Sequence, residues 1–222
     1  MPSAYVESNT ANGTWAVVSS AIFGQALRWT STVFGSEDSA IYAAFETRNA
    51  RVEAFIALRG TNSNEQPGLD LRVVGGNRIG IKLSRFHGSL RVQDLGASPT
   101  TTDVAFAWQT GVIYRVLVTL RDSSLRVQVF NGVNLVLDHS QTVNHTDVGK
   151  FGLRAAGDSA GSMEWGSLRV APGADPVRLG LSESTNGLFV DAGISASFTP
   201  NTERSRRCCL MTGKARRYTA QT

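Results

Sequence analysis

The sequence predicts an all-β protein, built as an antiparallel sandwich or barrel, and three observations support this fold class. Residues 111–170 contain short runs in which apolar and polar residues alternate. Turn-forming residues divide the preceding chain at intervals of roughly 8 to 12 residues, which is typical of sandwiches and barrels. No window shows convincing 3.6-residue periodicity, so we expect almost no helix.

The alternating runs predict a meander of three strands. Successive side chains of a strand point to opposite sides, so every second residue lines one face. Asn131-Gly132 separates the second and third runs and predicts a type I′ hairpin turn, because both central positions of that turn need positive φ. The apolar positions are Tyr114, Val116, Val118 and Leu120, then Leu125, Val127 and Val129, then Val133, Leu135 and Leu137.

The chain before the meander repeats this pattern less regularly. Gly, Asn, Ser and Pro are concentrated in the breaks between apolar segments, as expected of turns. The candidate strands are residues 15–19, 26–30, 41–47, 51–59, 69–74, 79–84, 90–95 and 104–108.

Length and composition indicate a globular protein. The chain has 222 residues, of which 41% are hydrophobic and 18% charged, enough for one sandwich with a sizeable core. No apolar run approaches the roughly 20 residues that span a bilayer, so we expect no membrane insertion. The first residues have no basic start and no apolar segment, and they begin with Met1, so we expect no secretory signal.

The positive charge lies in the C-terminal segment. The net charge is +4, yet residues 203–222 contain six basic residues and one acid, so the rest of the chain sums to about −1. We expect the basic residues to dock on an acidic protein surface. Phosphate binding is the alternative, but nucleic acid is an unlikely partner, because no aromatic residues are interleaved with the charges. The predicted partner-binding residues are Arg204, Arg206, Arg207, Lys214, Arg216 and Arg217.

The two cysteines, Cys208 and Cys209, are adjacent and lie in the same segment. Adjacent cysteines rarely form a disulfide with each other, because the small ring that this would close is strained. We therefore predict that these two are free thiols and that the protein is made in a reducing compartment. We therefore expect no disulfide in the body of the protein.

Residues 171–176, with the sequence APGADP, predict a linker. Two prolines and a glycine in six residues cannot continue a strand ladder. The domain organisation is then a sandwich over residues 1–171 and a linker with an extended basic arm over residues 172–222. A segment of this composition is expected to become ordered only on a partner's surface.

Residues 15–171 resemble the concanavalin A-like lectin/glucanase superfamily, the laminin-G-like jelly rolls. The features that carry the resemblance are the strand pair YRVLVTL and LRVQVFNGVNLVLD, the signature D-x-G-x-x-G-L at residues 147–153 and the closing strand MEWGSLRV. An earlier strand, VEAFIALRG, is similar to one that carries an arginine in such domains. The resemblance implies two antiparallel sheets of six or seven strands each. It does not choose among glycan-binding modules, hydrolases, adhesion domains and bacteriophage virion proteins.

The sequence lacks a convincing catalytic set. Glucanases of this fold carry E-x-D-x-x-E on one strand, and no such run occurs here. Residues 157–161, GDSAG, match G-x-S-x-G, but all three histidines precede this segment and its flanks are predicted strands, so a hairpin loop is the favoured interpretation. His87, Asp103 and Ser159 have the order of a trypsin-like triad without its surrounding motif.

Metal sites and sugar-stacking residues are also weakly indicated. The spacing of Asp138, His139, His145 and Asp147 fits no zinc pattern, and we predict no metal or other cofactor. Four residues could supply some of the oxygen ligands of a calcium site, but the pattern is too weak to predict one: Asn62, Asn64, Glu65 and Asp70. Trp108 and Trp165 are expected to fill the core rather than to stack on sugars.

Two functions remain open. The first is a non-enzymatic structural and interaction protein, a jelly-roll body anchored by its arm in a larger assembly of protein subunits, such as a capsid decoration or tail-associated protein of a phage or virus particle. The alternative is a lectin-like module that binds cell-surface glycans. The first predicts a location in the virion, after synthesis in the host cytoplasm, and the second predicts an extracellular or cell-surface location.

Overall fold

The computed structural model describes residues 5–7, 12–31, 36–59, 64–157 and 163–173, and within these it is all-β. There are fourteen strands and no helix in the described ranges. The strands are β1 (Tyr5–Glu7), β2 (Gly13–Ser20), β3 (Gly24–Ser31), β4 (Ser36–Thr47), β5 (Ala50–Leu58), β6 (Gly68–Val74), β7 (Asn77–Ser84), β8 (Ser89–Asp94), β9 (Thr100–Ala105), β10 (Ile113–Arg121), β11 (Ser124–Asn131), β12 (Asn134–Thr142), β13 (Gly149–Gly157) and β14 (Met163–Pro172).

The strands form two antiparallel sheets of seven strands each, which confirms the predicted jelly-roll sandwich. The first sheet has the order β1-β4-β13-β6-β7-β8-β9, and the second has the order β12-β11-β10-β5-β14-β3-β2. In the described part of the chain, no helix is long and apolar enough to cross a membrane.

Alternation along the strands places the core between the sheets. In the second sheet, β5, β10 and β11 turn their β-branched and aliphatic residues inward, with Val52, Val116 and Val127 at zero exposure. In the first sheet, Leu71 and Ile81 are equally buried. Burying side chains of this size contributes about 1.5–3 kcal/mol each, so the facing apolar surfaces hold the sheets together.

Two tryptophans tie the two sheets by hydrogen bonds as well as by packing, and a third is buried in the β9–β10 connection. Trp15 Nε1 donates to Asp38 Oδ2 at 2.9 Å, and Trp165 Nε1 donates to the carbonyl of Gly68 at 3.2 Å. In both pairs the tryptophan belongs to the second sheet and the acceptor to the first. Trp108 is buried and donates to the carbonyl of Ser89 at 2.7 Å. The prediction that Trp108 and Trp165 fill the core is confirmed.

The meander of β10, β11 and β12 is confirmed, including the hairpin between β11 and β12, but the predicted type of that hairpin turn is wrong. Asn131 pairs with Asn134, so Gly132 and Val133 are the two central turn residues. Gly132 has φ +60°, while Val133 does not have positive φ, which is the pattern of a type II′ turn. Val133 is 92% exposed because it lies in the turn, and a register shift between Val129 and Phe130 changes which residues of β12 face inward, so that Leu137 is buried and Leu135 is 48% exposed.

Two other predicted segments need correction. The strand expected at residues 104–108 lies at Thr100–Ala105, and the strand expected at residues 41–47 begins at Ser36. GDSAG does not join a hairpin, because β13 before it and β14 after it belong to opposite sheets. Residues 158–162 of this connection lie outside the described residues.

Arg72 holds three connections together at one end of the sandwich. Its side chain is fully buried, and its guanidinium donates to the carbonyls of Arg48, Asp122 and His145 at 2.6–2.7 Å. Arg72 has φ +51° and lies in a bulge of β6. Burial and the nearby Arg48 lower its pKa to about 10, so Arg72 stays protonated at neutral pH.

Close backbone approach beside Arg72 explains the first glycine of D-x-G-x-x-G-L. A Cβ on Gly149 would lie 2.5 Å from the carbonyl carbon of Arg72. A larger residue at this position would push β13 away from the bulge.

We predict that Arg72→Met lowers the free energy of unfolding by at least about 3 kcal/mol, because three buried carbonyls lose a charged donor. Arg72→Lys should cause a smaller loss, since one ammonium cannot reach all three carbonyls. The control is Arg51→Met at an exposed site on β5, expected to change stability by about 0.5 kcal/mol or less. Urea denaturation followed by tryptophan fluorescence measures all three. Equal stability of Arg72→Met and Arg51→Met would contradict the role given to Arg72.

Candidate functional site

The outward surface of the first sheet is largely polar and is here called the polar face, and the strand register defines it. Residues directly opposite each other on neighbouring strands share a face. One row crosses six strands, and a second row lies beside it. The first row is Ser39, Arg154, Gly68, Lys82, Arg91 and Asp103, and the second is Ile41, Gly152, Asp70, Gly80, Gln93 and Thr101.

The middle of the polar face is a cluster of opposite charges, here called the central charge cluster: Glu37, Ser39, Asp70, Lys82 and Arg154. Arg154 Nη1 donates to Asp70 Oδ1 at 3.1 Å, and Arg154 Nη2 donates to Glu37 Oε2. Lys82 Nζ donates to the other oxygen of Glu37, and the hydroxyl of Ser39 donates to Asp70. Four strands therefore contribute to one network.

Burial is uneven within the central charge cluster. The side chains of Arg154, Asp70 and Lys82 are 2%, 1% and 4% exposed, whereas that of Glu37 is 41% exposed. Burial lowers the pKa of Lys82, as does Arg154, while Glu37 partly opposes these effects. Burial alone would raise the pKa of Glu37, but Arg154 and Lys82 outweigh it, so this pKa is below its ordinary value.

A second group, the edge group, lies on the same face at β8 and β9: His87, Ser89, Arg91 and Asp103. Arg91 forms a fork on Asp103, with Nε and Nη2 at 2.9 and 2.8 Å from the two carboxylate oxygens. Ser89 donates to Asp103 Oδ1 at 2.8 Å, and Arg91 Nη1 lies 2.5 Å from His87 Nε2. Phe86 is 62% exposed and contacts His87 edge to face, with 4.7 Å between ring centroids.

The polar face offers donors and acceptors in fixed positions beside one exposed aromatic ring. Hydrogen bonds to charged groups are stronger than neutral ones, and a fork of two parallel bonds fixes direction. This arrangement suits a ligand with several hydroxyl groups and an apolar ring face.

A matching pair lies on the second sheet, and its arginine is more exposed than Arg91. Arg126 Nε and Nη2 lie 2.8 and 2.5 Å from the two oxygens of Asp138, on β11 and β12. This pair has the chemistry of Arg91 and Asp103 without a neighbouring buried charge cluster.

The residues that have the order of a trypsin-like triad, His87, Asp103 and Ser159, are not brought together as a triad within the described residues. His87 and Asp103 both bind Arg91, so the guanidinium occupies the hydrogen-bonding groups that a relay would use. Ser159 lies outside the described residues, as do Cys208 and Cys209 and the six predicted partner-binding residues of the arm. The arm, its domain boundary and its partner therefore stay predictions.

The two weak metal indications are not supported by side-chain positions. Asp138 binds Arg126, His139 Nε2 lies 2.9 Å from Gln141 Oε1, and His145 donates to the carbonyl of Arg72. Of the diffuse calcium set, Asp70 is bound by Arg154, and Asn62 lies outside the described residues. Across the described ranges, no group of three or more His, Cys, Asp or Glu side chains could hold a metal ion.

The sequence interpretation missed the central charge cluster. Its four charged residues are 117 positions apart at the extremes, and strand pairing alone brings them together. A local signal existed in β7, where Arg78, Gly80, Lys82 and Ser84 alternate with Ile79, Ile81 and Leu83. That alternation predicts a strand with one polar face but not the burial of that face.

Comparison with known proteins supports the fold. No protein-family model matches the chain, and no curated protein matches it significantly in sequence. Among solved structures, the carbohydrate binding module CBM66 from Bacillus subtilis is similar, with 15% identity and a TM-score of 0.55 over 75% of this chain and 94% of the module.

Two further structures share the fold at low identity. The exoplasmic/lumenal domain of VIP36 in its Ca²⁺-bound form has 12% identity and a TM-score of 0.57, covering 78% of this chain and 85% of that domain. Peanut lectin in complex with a nine-residue peptide has 14% identity and a TM-score of 0.51, covering 76% and 91%. These likenesses support the jelly-roll fold, and they give no support to a phage or virus origin.

We predict that His87 titrates with a pKa below its ordinary value of 6.5, because burial and the charge of Arg91 both disfavour the imidazolium. Asp103 acts in the opposite direction, so Arg91→Ala should raise the pKa of His87 by removing Arg91 and freeing Asp103. Arg126→Ala is the control and should leave the pKa of His87 unchanged. Histidine proton shifts followed by NMR measure the titration. An unaltered pKa in Arg91→Ala would contradict the contact between the two side chains.

Proposed function

We propose that the chain is a non-catalytic carbohydrate-binding module whose polar face contacts the sugar. The observation that carries the proposal is the polar row that crosses the first sheet from Ser39 to Asp103 and includes Arg154, Lys82 and Arg91. The similar structures support it, because one is named a carbohydrate binding module and the VIP36 domain is also known in a Ca²⁺/Man-bound form.

The accessible groups of the polar face fit sugar recognition. The side chains of Arg91 and Asp103 are 20% and 39% exposed, so both reach solvent while their fork keeps them in place. A sugar hydroxyl can donate to a carboxylate and accept from a guanidinium at the same time. Phe86 supplies the apolar surface on which a sugar ring can pack.

The electrostatics of the polar face argue against hydrolysis. A glycosidase needs one carboxyl group with a raised pKa to act as general acid and a second carboxylate placed across the bond. The pKa of Glu37 is lowered, so this group is ionised near neutral pH. Arg154 and Lys82 both bind Glu37 and stabilise its ionised form.

A second candidate function concerns the arm. The six basic residues after position 203 favour anchoring to an acidic protein surface, and this function is compatible with glycan binding by the sandwich. Glycan binding at a cell surface favours the extracellular location over the virion. Incorporation into a phage or virus particle remains the narrower form of the anchoring hypothesis.

We predict that Arg91→Ala weakens glycan binding at least tenfold, because the fork on Asp103 and its donors are lost. The fold should be retained, since Asp103 is exposed enough to be hydrated. Arg126→Ala removes the same type of fork from the second sheet and is the matched control. A glycan array finds ligands for the full chain, and calorimetry compares the variants. Equal loss in both variants, or an array without binding, would refute the proposed site.

For the arm, we predict that residues 1–175 keep the melting temperature and glycan affinity of the full chain but no longer join its assembly. The reason is that every described strand of the two sheets ends at or before Pro172, so the shortened chain keeps all of them. Circular dichroism measures the melting temperature, calorimetry measures the glycan affinity, and sedimentation of cell extracts measures incorporation into the assembly. Normal incorporation of the shortened chain into the assembly would refute anchoring by the arm.

A further inference from the structure

The position of Glu37 in the central charge cluster is that of a bound anion. One carboxylate oxygen accepts from Lys82 Nζ and the other accepts from Arg154 Nη2. Both cations are almost fully buried, while the side chain of Glu37 is 41% exposed. The carboxylate therefore covers two buried cations from the solvent side.

Removal of Glu37 would leave the site strongly positive. Arg78 Nε lies 3.7 Å from Asp70 Oδ1, so Asp70 is shared by Arg78 and Arg154. Lys82 is bound to Glu37. Without the Glu37 carboxylate, these three cations face Asp70 alone and carry two uncompensated charges. A buried site of this kind favours an anion in place of the lost carboxylate.

Arg154 has unused donor capacity. Its Nη1 and Nη2 groups bind Asp70 and Glu37, but its Nε is buried and has no hydrogen-bond partner among the residues that the structure describes. A buried donor without a partner is unfavourable, so an additional acceptor at this guanidinium would be favourable. This observation is independent of the exposure of Glu37.

We infer that the polar face binds acidic glycans, with a sugar carboxylate replacing the Glu37 carboxylate between Lys82 and Arg154. This inference rests on the proposed carbohydrate-binding function and names its ligand class as uronic acids. A carboxylate has the same planar pair of acceptors as Glu37, so it can make the same two hydrogen bonds. In the unliganded protein Glu37 keeps the buried cations paired, and on binding its side chain turns toward solvent.

The ligands for the test are oligogalacturonate and its methyl ester, which has the same sugar ring without the negative charge. Calorimetry with the full chain should show that the acid binds at least tenfold more tightly than the ester. Added salt should weaken binding of the acid and leave binding of the ester nearly unchanged. A sulfated glucan of similar length tests whether any anion suffices, and tight binding of that polymer would overturn the assignment to carboxylates.

Glu37→Gln tests the replacement directly. The amide keeps the shape of Glu37 but no longer competes as a charge, so affinity for oligogalacturonate should rise about tenfold while affinity for the ester stays constant. Lys82→Met should abolish the preference for the acid. Glu53→Gln, a partly exposed glutamate on the second sheet, is the matched control and should change neither affinity.

Circular dichroism identifies variants that fail to fold. If Glu37→Gln does not fold, Glu37→Asp replaces it in the test, since the shorter side chain cannot bridge both cations. Tighter binding of the acid in Glu37→Asp is the same supporting result.

The outcomes separate the two proposals. Binding of acid and ester with equal affinity, sensitive to Arg91→Ala, would overturn the inference and keep the carbohydrate-binding function. Absence of binding to every glycan would overturn both. An unchanged preference in Glu37→Gln would show that the sugar carboxylate does not take the place of Glu37.

Discussion

The buried guanidinium of Arg72 is the interaction on which the rest of the fold depends. It binds carbonyls in the β4–β5 turn, the β10–β11 turn and the β12–β13 connection, so it joins loops of both sheets. His145 strengthens the junction, because its backbone nitrogen donates to Asp94 Oδ2 at 3.2 Å and its ring donates to the carbonyl of Arg72. The bulge of β6 that places Arg72 at this junction begins after Leu71. The residues of β6 before the bulge therefore stay in register with β7 and β13. The rows of the polar face depend on that register.

Stability alone does not account for the central charge cluster. Buried ion pairs are costly to desolvate, and apolar residues of similar size often give equal or greater stability. The first sheet has ample apolar burial on its inner side, where Leu69, Leu71 and Ile81 are fully buried. A network that places Arg154, Lys82 and Asp70 on the outer side therefore adds specificity of shape and charge more than it adds stability. Such a network fits the ligand recognition proposed above.

Local patterns predicted the fold well because strand alternation is a local property. Val116, Val118 and Leu120 face the core as the sequence indicated, and the same holds for Leu125 and Val127. Long-range pairing could not be predicted, since β13 joins β4 and β6 from more than 70 residues away along the chain. The shift of β9 and the start of β4 at Ser36 have the same cause: polar strands such as SEDSA pair because of their neighbours rather than their own hydrophobicity. The candidate site is built from these polar strands, so sequence analysis located the scaffold and missed the site.

The two arginine–aspartate forks show why position in the sheet matters more than residue type. Arg91 with Asp103 and Arg126 with Asp138 have the same spacing in sequence and similar hydrogen-bond geometry. Asp138 lies on β12, an edge strand of the second sheet, and Asp103 lies on β9, an edge strand of the first. The difference lies in their neighbours: Lys82 is directly opposite Arg91, and the buried cluster continues from there to Ser39. A pair that is an ordinary surface ion pair on one sheet becomes the accessible end of a charged network on the other. That continuity from solvent to buried charge is what a polar ligand can use.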